Sequence, residues 1–528
     1  MNVWLHATAG EPPALPGTSL YQTAFRRKST VSLGGPRRNG ASVGARRGAP
    51  LRAVLDRSGR SLYVRAVSAV PSASEVLAEF GAALRREDLP ASVVAAAKRH
   101  LLDVVGVALA SSTMPFANMA LQAATALGGA GDGSVIGFAD RLPPAWAALV
   151  NGALAHGIDY DDTHEEGVVH VSCSVAPAAL AAAEGTGATG AQFLTALVLG
   201  METAVRLGVA APGRFHDRGF HPTGVCGAFA ATLVAGSLAG LPAPRLADAL
   251  GLSGSMASGL MEFLTDGTWS KRIHSGWAAH GGLVAASLAA AGFSGPRAVL
   301  DGRFGFYRSH LGDEGWQLDA VTDGLGQRWR MQEIALKPFP ACHMTHAFID
   351  CAASLRPEPG VSPDAIARIE CFIHPREMPI VCEPRASKLV PQTDYDAKFS
   401  LPYTVACMFV RGHVDLDDFT PAAIRDRAVL DLARRVECVA DPQANYPHSF
   451  PGRLRMTLRD GRVFERDEPL NRGSAERPLS DDDVCAKFRR NAEMALPADQ
   501  VAALRAAAQN IDTAPSVREL AARLRSDA

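Results

Sequence analysis

Between residues 71 and 335 the apolar positions recur every three or four residues, the spacing of one helix face. Ser72-Ala-Ser-Glu75 has the form of a capping box, opening a helix through Val76, Leu77 and Phe80. Pro90, suited to a first turn, precedes a stripe of Val94, Ala97, Leu101, Leu102, Val105, Ala108 and Leu109. Pro143-Pro144 starts a helix through Trp146, Leu149, Val150 and Ala153 that ends near His156. Ala-rich segments at 175–186, 190–208, 223–239, 243–263 and 276–292 read as further helices, with turns such as Gly240-Leu-Pro242 between them.

After about residue 335 the texture changes. Ile369, Cys371 and Ile373 alternate with other residues as in a strand, and Val436 to Val439 does likewise. Arg453 to Leu458, Asp460-Gly461 and Arg462 to Glu465 predict a hairpin, with Asp-Gly in a type I′ turn. Helices are expected near 341–355, 400–411 and 421–434, and again over 484–494, 497–509 and 515–525. The pattern predicts a mainly α protein: a large all-α helical domain over 71–335, an inserted smaller α+β lid domain over 336–475, and C-terminal helices over 476–528 that rejoin the first domain.

Apolar residues make up 47% of the 528 and aromatics only 6%, so the core must be built from Ala, Val and Leu, which favours close helix contacts. The net charge of −1 is uneven. Eleven bases and two acids precede residue 71, leaving the rest acidic by about ten charges. That balance excludes nucleic acid as the expected partner of the folded part. The nine cysteines are scattered without a C-x-x-C pair, which argues for a reducing compartment and against a disulfide or zinc framework. No segment reads as a membrane span; the nearest, Gly224 to Leu241, reads as a buried helix. Residues 1–70, rich in Arg, Gly and Pro, predict a disordered extension. The expected location is cytoplasmic, or mitochondrial if that extension is a genuine transit peptide.

Against this apolar background four polar clusters stand out: His156 to His164 with His170 beyond, Gly219 to Gly224 around His221, Asp266 to Gly276, and Lys337 to His346. Imidazoles and carboxylates are costly among packed helices unless paired. Together the clusters offer cations and proton-transfer groups, which suits an enzyme acting on a small polycarboxylate. Charge developing beside carboxylates needs cations to hold them, a base and an acid. Lys271 and Lys337 fit the first need, and His221 and His170 the others. Asp159 could fix a histidine tautomer, and Thr163 can hydrogen-bond a substrate carboxylate. Arg272 and His274 are further carboxylate contacts. Asp161, Asp162 and His164 read as ordering the loop, and His156 as a helix-end residue.

The stretches Val150 to Thr163, Phe220-His-Pro-Thr-Gly224, Asp266 to Ala279, Gly292 to Pro296, Lys337-Pro-Phe-Pro340 and Ala397 to Tyr403 occur in an order that resembles the MmgE/PrpD family. That family includes 2-methylcitrate dehydratase, cis-aconitate decarboxylase and iminodisuccinate epimerase. The resemblance implies a helical domain with an α+β lid, a homodimer, a site between the domains, and neither metal nor other cofactor. It places functional positions on Asp159, Thr163, His170, His221, Lys271 and Lys337. Two departures stand beside it: the segment from Thr163 to His170 is one residue longer than in the decarboxylase, and Cys342 occupies the place of a catalytic His, with His343 next to it as a substrate contact. The leading expectation is a metal-independent lyase of the 2-methylcitrate dehydratase type. The alternatives are an epimerase of an iminodisuccinate-like acid and a non-catalytic carboxylate-binding homologue. Pro338 to Pro340 is the expected hinge of the lid.

Overall fold

Close contact between helices organises the molecule, and glycine is what permits it. The helices Pro144–His156 and Ser270–Ala290 cross where Gly152 faces Gly276; a Cβ on Gly152 would lie 2.5 Å from the Gly276 Cα. Around this pair pack Ser172–Thr186, Gly190–Val209 and Pro222–Leu238. Every residue of the last from Pro222 to Gly236 is buried, as its unbroken run of small apolar side chains requires. In this computed structural model residues 70–526 are described, together with the backbone of two short strands, Ala53–Leu55 and Ser61–Tyr63, which pair antiparallel. The expected disordered extension otherwise lies outside the described residues.

The protein is mainly α with small sheets, and it has two hydrophobic cores. One unites residues from Ala73 to Leu336 with Leu479 to Leu524. The C-terminal helix Asp481–Ala492 lies so close to Ala91–Ser112 that a Cβ on Gly106 would come within 3.2 Å of the Phe488 Cα. The second core is built mostly from Phe339 to Leu458. Its sheet runs Val463–Glu468, Gly452–Leu458, Ile366–Ile373, Val436–Ala440, antiparallel except for the last pair, with Cys371 opposite both Leu454 and Cys438. The helices His346–Leu355 and Leu401–Arg411 pack against it.

Several expected boundaries move. The hairpin turn is not type I′, because Gly461 has positive φ (90°) and Asp460 does not. The Gly461 amide bonds to Leu458 O at 3.0 Å, giving a three-residue loop closed by a left-handed glycine. The expected helix 243–263 stops at Ser253, where Gly254 and the Ser/Gly-rich segment after it weaken helix propensity. The expected helix 276–292 begins earlier, at Ser270, so Lys271, Arg272 and His274 project from a helix and not a loop. The helix expected from 421 starts at Arg427, where Asp426 caps it through the Ala428 amide at 2.9 Å. The segment Gly190–Val209 is long and apolar enough to cross a membrane, and 94% of that apolar window is buried inside the fold.

Candidate active site

The loop after Pro144–His156 carries four consecutive residues that are each held from a different direction. Asp159 has a left-handed backbone (φ 56°), which an Asp tolerates better than most side chains. Its Oδ1 bonds to Lys271 Nζ, from the first turn of Ser270–Ala290, and Oδ2 accepts from Lys337 Nζ at 3.0 Å. Lys337 also donates to Asp159 O at 2.9 Å. A two-residue strand pairing brings it there: Thr163 faces Ala335 and His164 faces Ile334. Burial alone would raise the Asp159 carboxyl, but Lys271 and Lys337 hold it well below the ordinary carboxylate range. Next, Tyr160 donates to Pro338 O at 3.1 Å, and its own carbonyl accepts from Lys487 Nζ at 2.8 Å.

Asp161 is the residue that orients imidazoles. Its Oδ2 lies 2.7 Å from His156 Nδ1 and 3.3 Å from His170 Nδ1. Burial opposes its charge, yet His156 and His170 keep the carboxyl well below its usual range. Asp162 accepts from the Val171 and Ser172 amides at 3.2 and 2.9 Å, capping Ser172–Thr186, and pairs with His100 Nδ1 at 2.8 Å. His170 bonds through Nδ1 to Asp162 O at 3.0 Å, and its amide donates to Thr223 Oγ1 at 3.1 Å. Thr163 Oγ1 lies 3.3 Å from the same ring nitrogen. Between them, His164 and Val169 pair around a turn closed by Val168 N to Glu165 O at 2.9 Å. Val168 there is left-handed (φ 49°), an unfavourable state for a β-branched residue.

The imidazoles form a chain. The His156 ring centroid is 4.8 Å from that of His170 and 5.3 Å from that of His221, and His221 Nδ1 is 3.1 Å from His274 Nδ1. Burial first, then His274 and Lys271, pushes His221 well below the usual imidazole range; burial likewise takes His156 to about 3 and His274 to about 4. These rings are neutral in the folded protein at pH 7. His170 is the partly exposed member, with 13% of its side chain accessible.

These groups share one cavity of about 40 Å³ between the two cores. Asp159, Thr163, His170, His221, Lys271 and Lys337 line it from one side; Cys342, His343, Ile380, Phe399 and Phe450 close it from the other. His343 accepts from Asn471 Nδ2 at 2.5 Å; burial, then His346 and Lys337, holds it neutral. Burial raises the Cys342 thiol to about 11, so it is not an ionised nucleophile at neutral pH.

Two predicted contacts are not in the cavity lining. Arg272 points away: it pairs with Asp394, donates to Gly157 O at 2.8 Å, and lies among the Phe116, Trp269 and Tyr395 rings. Adjacent helix positions face different ways, so Lys271 and Arg272 cannot both enter one pocket. His274 meets the site through His221 Nδ1 and feels the Lys271 charge. Asp159, expected beside a histidine, bonds to the two lysines instead; the carboxylate beside the imidazoles is that of Asp161, a placement sequence reasoning missed, as it missed Thr223 and Lys487. Lys487 pairs with Asp103 at 2.7 Å on the helix it packs against, a long-range match with no local signal. Among the described residues, His156, His170 and His221 have ring nitrogens within 4.8 Å of one another, the set most able to hold a transition metal.

Fold and geometry define a mainly helical protein with a buried group of imidazoles beside two lysines that share one carboxylate. The chain belongs to the MmgE/PrpD family: the model of the MmgE/PrpD N-terminal domain matches residues 75–319 and that of the C-terminal domain residues 339–513. It is similar to a cis-aconitate decarboxylase-like protein, oryM, of Aspergillus oryzae, at 29% identity over 83% of this chain and 94% of the relative. It is also similar to the cis-aconitate decarboxylases of Homo sapiens (30%, covering 80% and 88%) and Aspergillus terreus (26%, covering 77% and 86%).

Proposed function

We propose that this protein is a metal-independent lyase acting on a small di- or tricarboxylate by proton transfer. One observation carries the proposal: Lys271 and Lys337 converge on the buried Asp159 beside His170, whose Nδ1 faces Asp161. A substrate carboxylate arriving at the lysines replaces or shares the Asp159 charge. His170, oriented by Asp161, moves the proton through its remaining nitrogen. Burial strengthens each of these charge contacts.

A cavity of about 40 Å³ holds one or two waters, far short of the roughly 300 Å³ of a small-molecule site. Substrate entry therefore requires the second core to swing away as a lid, with movement beginning near Pro338–Pro340. That segment is pinned by Tyr160 on one side and by Lys398, which donates to Pro340 O at 2.7 Å, on the other.

Within this class, dehydration of a 2-methylcitrate-like acid uses two proton-transfer groups, one for the C–H proton and one for the departing hydroxyl. His221, held neutral and so able to take the C–H proton, and His170, in the same cavity, supply such a pair. The relatives' names favour a second reading, decarboxylation of cis-aconitate, which needs one proton donor after carbon dioxide leaves. Incubation with citrate, 2-methylcitrate and cis-aconitate separates them. Alkene absorbance from a hydroxy acid supports dehydration, and carbon dioxide from cis-aconitate supports decarboxylation. Deuterium wash-in at a stereocentre without either product would make the protein an epimerase. Binding without turnover, insensitive to Lys271→Ala and His221→Ala, would sink the enzymatic proposal.

A further inference from the structure

A second, larger pocket of about 330 Å³ is lined by Arg272 and Lys398, the sequence neighbours of Lys271 and Phe399 in the first cavity. Its volume is within the range of small-molecule sites, and its lining is dominated by apolar and aromatic side chains, among them Phe116, Trp269 and Phe419. Two buried cations also reach it. Arg272 has a counter-ion in Asp394. Lys398 is 2% exposed; its ammonium donates to Pro340 O and lies 4.1 Å from the Phe419 ring centroid, and among the described residues no carboxylate lies within ion-pair distance of it. A buried ammonium with a single carbonyl acceptor and no anion is a poorly compensated charge. The proposed reaction gives it no proton to move and no substrate to hold; its bond to Pro340 O only pins the hinge segment.

We propose that this pocket is a second binding site, specific for a monocarboxylate carried on a hydrocarbon or aromatic body, with Lys398 as the anion's partner and the aromatic walls receiving the apolar part. Arg272, Lys398 and Arg425 line the pocket with Asp394 and Asp417, so its surplus is at most one positive charge, which matches one carboxylate and not the two or three of a polycarboxylate. Burial lowers Lys398 to about 7, while the facing Asp394 and Asp159 raise it and Arg272 and Lys337 lower it. An arriving carboxylate favours the charged ammonium, so binding takes up a proton and weakens as pH rises past neutrality. The site is also wired to the first: Arg272 and Lys398 donate to Gly157 O and Pro340 O, on the segments that carry Asp159 and Lys337.

Titration calorimetry on the full chain with octanoate and, as its uncharged match, 1-octanol tests the proposal. Octanoate is expected to bind at least tenfold more tightly than 1-octanol at pH 6.5, with much of that preference lost by pH 8.5. Lys398→Met should abolish the preference at both pH values, and Thr420→Trp, placed on the exposed rim, should weaken both ligands at least tenfold. A photoreactive diazirine carboxylate on the unaltered protein should label peptides within 416–425, which keeps the test independent of whether either variant folds. Equal affinity for the two probes, no binding, binding indifferent to Thr420→Trp, or labelling confined to 337–346 would each overturn the assignment.

Discussion

Asp159→Asn isolates the feature on which the proposed chemistry turns. In the protein Asp159 is fully buried and holds Lys271 and Lys337 together. The amide keeps the shape of the carboxylate and removes its charge, leaving two buried ammonium groups facing each other. Removing one partner of a buried ion pair costs about 3–5 kcal/mol. For an ordered body of this size the unfolding entropy is about 1 kcal/mol per degree, so the melting temperature should fall by about 3–5 °C. The same vacancy makes the lysines a stronger anion site. Citrate or tricarballylate should therefore restore more stability to the variant than to the parent, while turnover falls by about 100-fold or more. Differential scanning fluorimetry across a carboxylate series reads the first effect, and the turnover screen reads the second. A melting temperature within one degree of the parent, with no greater response to carboxylates, would refute the picture of Asp159 as a charge shared by two lysines.

Asp161→Asn should lower kcat by about 100-fold or more with little change in KM, because the Asp162 carbonyl still holds Nδ1–H of His170 but the negative charge that stabilises a proton arriving on the ring is gone; steady-state kinetics decides this, and an unchanged kcat would remove Asp161 from the proton path. Stability should fall as pH drops from 6.5 to 4.5. His156 and His274, held neutral in the fold at about 3 and 4, take up protons on unfolding in that window, each contributing about 1.4 kcal/mol per pH unit. Glu165, raised to about 7 by burial, and Glu377, also raised by burial, oppose them; His216, His221, His343 and His346, all lowered by burial, add to the side of His156 and His274, and Asp159 and Asp161 enter only below the ordinary carboxylate range. A melting temperature that rises over that interval would contradict the neutral histidine chain. Dialysis against EDTA should leave turnover unchanged, since lysines supply the positive charge. Inactivation reversed only by added metal would instead point to His156, His170 and His221 as ligands.

Much of this was legible along the chain because helical periodicity survives tertiary packing: the capping box at Ser72 and Glu75 forms as written, with both reciprocal bonds present. Lys271, Lys337, His170 and His221 stood out as members of polar clusters in an Ala/Val core, and the family resemblance singled them out within those clusters. What could not be read was direction. Asp159 and Asp161 lie two residues apart and are chemically alike; the left-handed turn at Asp159 sends one to the lysines and the other to the histidines. Arg272 adjoins Lys271 yet serves another pocket, because one step along a helix turns a side chain by about 100°. Lys398 lies in the Ala397 to Tyr403 stretch that carried the family resemblance, but no local pattern told that its ammonium would be enclosed beside Phe419.

The bond from Lys487 to the Tyr160 carbonyl ties the reactive loop to a part of the chain made more than three hundred residues later. During synthesis on the ribosome, nearly every group of the cavity emerges before the clamp that steadies it. A chain stopped ahead of residue 487 would therefore lack the bond that holds the Tyr160 carbonyl.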